Sequence, residues 1–181
     1  MKQVLVLIIL LLGCSISAFS QTEKRIEEIR KIYQEVNKNV AECEVNGDTS
    51  TTFLTEMIVN KNDGSYPAVG IYKTTVKFYY TFGDREKNPY PNRLMKIMVT
   101  TNRSATTETS EFLFSEQGQL IFYFEKKEEE RRVYFALEKP IKILKGEKTL
   151  PAGNKQEAEF VKSILNEKRK LVGIFKNSLE F

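Results

Sequence analysis

The chain of 181 residues has no histidine, no tryptophan and only two cysteines. Without histidine, Ser-His and Cys-His catalysis and most zinc arrangements are excluded. Glycine motifs of the phosphate-cradling kind are also missing, and no cofactor is expected. Its aspartates, Asp48, Asp63 and Asp84, each sit beside a glycine, so local turn hydrogen bonding accounts for them. A calcium loop over 60–65 fails, because aligning Gly64 with the loop glycine puts Val59 and Lys61 where oxygen ligands belong.

Long apolar runs are scarce too. The one present, residues 4–12, is nine residues long, about half of the ~20 that a helix needs to cross a bilayer. Lys2 precedes it and small residues follow, which is the three-part pattern of an export signal. Small side chains at Ala18 and Ser20 predict a cut before Gln21, so residues 1–20 are expected to leave and 21–181 to form a single domain. No transmembrane span is then expected. Leu11-Leu12-Gly13-Cys14 resembles the bacterial lipobox, and that resemblance implies a lipidated Cys14 at the new N-terminus and a membrane-anchored lipoprotein. The tether left in that case would contain Ile16 and Phe19, more apolar than a solvated linker, which favours free secretion or a periplasmic location. Removing the signal leaves Cys43 alone, so no internal disulfide is expected and the core must hold the fold unaided. Cys43 itself ends a helical pattern and reads as a small buried apolar residue.

Composition is that of a globular domain, with 41% hydrophobic and 29% charged residues. The net charge is +4, with the signs interleaved, and nothing suggests nucleic acid as a partner. Segments 61–103 and 139–170 are basic and 104–138 is acidic. If the basic segments met they would form one cationic surface.

Ile26, Ile29, Tyr33, Val36 and Val40 recur at three- and four-residue steps, predicting a helix over 22–43, although no cap marks its start. From residue 51 the period becomes two. Strands are predicted over 52–59, 72–82, 94–101, 109–114, 120–125, 132–137 and 141–145. Short connections make this an antiparallel meander of six or seven strands with one face partly wet. A second helix follows Asn154, with Glu157 placed as in a capping box. The expected fold is α+β: helix, antiparallel sheet, helix, with both helices on the sheet's apolar face.

From Glu111-Phe112-Leu113-Phe114 through Gly118 to Arg132-Val133-Tyr134-Phe135, the chain resembles a strand-turn-strand pattern of exported bacterial proteins of unknown function. The resemblance covers about 25 residues and implies no activity.

Three functional readings follow. Tyr66 before the long strand and Tyr90 after it sit in proline-stiffened loops, and Arg85, Lys87 and Arg93 flank Tyr90. These five residues make a candidate binding site for an anionic protein or an envelope component. Twenty aromatic residues could instead line a cavity for an apolar ligand such as a lipid. An acid/base pair of the glycosidase kind would have to come from Glu56, Glu111 and Glu125, whose spacing singles out no pair. A non-catalytic binding or envelope-associated protein is the favoured reading.

Overall fold

The structure, a computed structural model, describes residues 2–47, 50–62, 64–66, 70–151 and 153–180; of residues 2–19, 65 and 66 it describes the backbone alone. Asp48, Asp63, Pro67 and Ala152 lie outside the described residues.

Helix α1, Lys2–Asn46, opens the chain. Nine strands follow: β1 Phe53–Val59, β2 Ser65–Tyr66, β3 Gly70–Phe82, β4 Pro91–Arg103, β5 Thr106–Phe114, β6 Leu120–Lys126, β7 Glu130–Ala136, β8 Lys139–Lys145 and β9 Lys148–Leu150. Helix α2, Lys155–Asn177, closes it. The sheet order is β1-β3-β4-β5-β6-β7-β8-β9, antiparallel throughout, with β2 pairing β3. The α+β architecture therefore matches the period-two and period-3.6 patterns, with β2 and β9, two and three residues long, added to the expected strands. Elements that short contain too few residues for any period to show.

The start of α1 explains its missing cap. The helix does not begin at Thr22 but runs unbroken through the expected cut between Ser20 and Gln21, so no orphan N–H groups gather there. Cys14 and Ala18 lie within it, their side chains outside the described residues; Ser20 and Gln21 are exposed. Among the residues whose side chains are described, no helix is long and apolar enough to cross a membrane.

The two helices do not share a face. Ile26, Ile29 and Val36 of α1 pack with Met95, Leu113 and Tyr134. Val161, Ile164, Leu171 and Phe175 of α2 belong to the other cluster, with Phe78 and Phe112. The sheet is thus the middle of three layers, and its second face is covered rather than wet. The reason lies in the central strands, where alternation fails: Phe112, Leu113 and Phe114 are all buried, as are Val133, Tyr134 and Phe135. Strands buried on both faces read as continuous apolar runs. Each large side chain so buried stabilises the fold by roughly 1.5–3 kcal/mol.

At the start of α2, Asn154 accepts from the Gln156 amide at 3.0 Å, as a cap should. Glu157 does not complete the capping box; it is buried and pairs with Arg131 of β7. That arginine's guanidinium lies 3.4 Å from the Phe160 ring centroid, locking the first turns of α2 to the sheet.

Connections alternate between the two ends of the sheet. Those over 83–90, 115–119 and 137–138 leave one end; those over 104–105, 127–129 and 146–147 leave the other. The 115–119 turn is closed by the Ser115 hydroxyl, which accepts from the Gln117 and Gln119 amides, and by Gly118 at φ 74°. The 137–138 connection is different. Leu137 and Glu138 take φ of 51° and 60° with Ala136 paired to Lys139, a two-residue turn whose positive φ values favour Asn and Gly.

Candidate functional site

Strand β3 places the two tyrosine loops at opposite ends, as expected, because Tyr66 pairs with Gly70 at its start and Tyr90 precedes β4 beyond its end. The Tyr66 side chain lies outside the described residues. Tyr90 is 56% exposed. Its amide donates to Asn88 Oδ1 at 3.1 Å, and Asp84 holds the preceding turn by accepting from the Asn88 amide at 2.9 Å. Tyr90 and Pro91 form one wall of a groove of about 320 Å³, and Lys176 in the last turn of α2 with Leu179 and Glu180 just beyond it form the other.

The cations around Tyr90 are largely engaged within the protein. Lys87 pairs with Asp84 at 2.8 Å, and this ammonium is the main cause of the low pKa of Asp84. Arg93 pairs with Glu116 at 3.7 Å. Arg85 lies 4.5 Å from the Phe53 ring centroid and 4.3 Å from that of Phe82. Stacking leaves its guanidinium without an acidic partner among the described residues. Of the expected trio, Arg85 alone keeps an uncompensated charge. Within the sheet the basic strands β4 and β8 are separated by β5, β6 and β7 of the acidic segment.

The three glutamates do not converge. Glu56 is exposed on the edge strand β1. Glu111 faces α1, where it accepts from Tyr33 Oη at 2.8 Å and pairs with Lys96 at 2.9 Å. Glu125 faces α2, accepting from Tyr123 Oη at 2.8 Å and pairing with Lys127 at 3.0 Å. Two carboxylates on opposite sides of a sheet cannot flank one bond. Among the described residues there is also no group of three acid or sulfur ligands able to hold a metal ion.

The α1 face holds a polar network that sequence reasoning missed. Lys96 is 4% exposed, donates to Asn37 Oδ1 at 2.8 Å and approaches the Tyr33 ring to 5.3 Å. A lone cation inside the apolar run Leu94 to Val99 was the available signal. Burial above all, with the facing Glu111 carboxylate, pushes the Tyr33 phenol up to about 12. Nearer the helix end, Tyr79 Oη donates to Glu44 at 2.5 Å and Lys77 pairs with the same oxygen at 2.7 Å. Lys77 first, then Tyr79, hold the Glu44 carboxyl below its ordinary range. Cys43 beside it is buried, and burial pushes its thiol up, away from the thiolate that reactivity requires.

No family model, curated protein or solved structure matches this chain.

On the α2 face the aromatic residues pack against one another. Phe175 lies 5.3 Å from Phe78 and 5.1 Å from Tyr80, and Tyr123 lies 6.1 Å from Phe160, centroid to centroid. These are the spacings of a filled core.

Proposed function

We propose that this chain is an exported, non-catalytic binding protein of the cell envelope that meets its partner with the end of the sheet carrying Tyr90. The observation that carries the reading is the exposed Tyr90 ring beside the groove against α2, held by a loop with proline on either side. A ring so stiffened loses little entropy on contact, and tyrosine is enriched among the residues that dominate binding energy. The engaged carboxylates favour binding over hydrolysis, since half-buried Glu111 and buried Glu125 are each committed to a phenol and an ammonium. Ring packing between the sheet and α2 favours surface contact over carriage of an apolar ligand.

The test compares wild type with Tyr90→Ala by crosslinking in the envelope of an expressing cell. A crosslinked species, protein or lipid, lost in the variant with the melting temperature unchanged supports the reading; wild-type levels of both protein and lipid crosslinks overturn it. Intact mass of the exported protein checks compartment and attachment together. A start at Gln21 means release, a diacylated Cys14 means anchoring, and an unprocessed Met1 removes the export proposal.

A further inference from the structure

The two residues of the β7–β8 turn are at odds with their backbone. Leu137 at φ 51° sits where a branched apolar side chain is strained, and it is 78% exposed, so the fold gains no burial from it. A strained residue that contributes nothing inside the domain points to a contact outside it. Leu137 also leaves the same end of the sheet as Tyr90, because the 83–90 and 137–138 connections turn on the same side. Three strand spacings separate β4, which follows Tyr90, from β7, which precedes Leu137, roughly 14 Å at 4.8 Å per strand. Two exposed apolar side chains so far apart do not fit one pocket; they fit a flat partner.

From these positions we infer that this end of the sheet rests on a phospholipid bilayer, with Leu137 entering the acyl boundary and Tyr90 lying at headgroup level. The inference rests on the binding reading above and names what that end meets. Tyrosine is enriched at membrane interfaces for the same reason, an apolar ring with a polar tip. The charges fit as well. Asp84, Glu116 and Glu138 are each paired, with Lys87, Arg93 and Lys168. Among the described residues, Arg85, Lys139 and Lys176 remain unpaired against Glu86 and Glu180, a slight excess of cation toward an anionic surface. Helix α1 adds a third observation. Gln21, Lys24 and Arg25 line a cleft of about 540 Å³ with Ala136 and Ile141, at the base of the Leu137 hairpin. The same unbroken helix contains Cys14, seven residues before Gln21, about 10 Å of helix. A lipid attached there would hold the Leu137 hairpin close to the bilayer.

The absence of tryptophan makes the test direct. Leu137→Trp and, at the opposite end of the sheet, Glu128→Trp each introduce a single indole into the protein as exported. Each is mixed with vesicles of phosphatidylethanolamine and phosphatidylglycerol, with and without brominated acyl chains. The expected result is a blue shift and severalfold stronger quenching at 137 than at 128. Leu137→Asn should lower the vesicle-bound fraction severalfold while raising the melting temperature, which separates lost contact from lost folding. Equal quenching at the two positions, no shift at either, or wild-type vesicle binding by Leu137→Asn overturns the inference. If Leu137→Asn instead abolishes a protein crosslink without changing vesicle behaviour, a protein occupies this end; the bilayer inference falls and the binding reading stands. If Tyr90→Ala and Leu137→Asn leave both crosslinks and vesicle binding at wild-type levels, both fall.

Discussion

Lys96 Nζ lies 2.9 Å from Glu111 Oε2 beneath helix α1, with side chains 5% and 14% exposed. With little solvent to reach them, the two groups depend on each other and on Tyr33 and Asn37 for their polar contacts.

Removing one partner of such a pair is far more damaging than removing both. Lys96→Met is expected to destabilise by about 3–5 kcal/mol, because it strands the Glu111 carboxylate, while Lys96→Met with Glu111→Leu costs much less. Urea unfolding of the two variants checks this; equal losses would show that the pair is well solvated.

Alkaline pH should unfold the protein through its buried phenols. The Tyr33 pKa rises from near 10 in the unfolded chain to about 12 in the fold, so the fold favours the neutral phenol. That contribution is complete below pH 10 and is lost as pH climbs from 10 through about 12. Tyr79 and Tyr123, raised chiefly by burial, add losses of the same sign. Denaturation midpoints measured across this range should fall less steeply for Tyr33→Phe than for wild type.

Leu137→Asn should stabilise the protein by roughly 1 kcal/mol, since asparagine accepts positive φ with little strain and the leucine side chain is 78% exposed. Thermal unfolding decides it, and an unchanged or lower melting temperature would mean that Leu137 is not strained.

Arg131 binds Glu157 and covers the Phe160 ring, so its planarity matters as much as its charge. Arg131→Lys keeps the charge and loses the stack, at an expected cost of about 1–2 kcal/mol. Arg131→Ala leaves Glu157, 5% exposed, without its partner and should cost about 3 kcal/mol or more. An Arg131→Lys variant as stable as wild type would rule out a role for the stack.

Element types were legible because the local periods were clean: Ile26, Ile29 and Val36 mark a helix face, and 72–78 alternates. The placement of the helices on opposite faces was not read, although Phe112-Leu113-Phe114 and Val133-Tyr134-Phe135 carried it as unalternating runs. Glu157 fitted a capping box by position, but an arginine 26 residues away claimed its carboxylate, and no local pattern encodes a partner at that separation. At the candidate site, the Tyr90 loop was singled out by its chemistry. Arg93 and Lys87 flank it in the sequence, yet their pairing with Glu116 and Asp84 depends on side-chain reach across turns. Leu137 was assigned to a strand; its exposure follows from a turn made of residues that rarely form one.

Helix α1 binds Lys142 through Glu23, Tyr134 through Arg30, Glu111 through Tyr33 and Lys96 through Asn37, across separations of 119, 104, 78 and 59 residues. This helix, which precedes all of them in the chain, therefore has no surface to dock on until most of the strands have been made and have paired. Contacts of such high order are slow to form. The chain stays loose along this helix until its distant strands arrive, and becomes rigid only then.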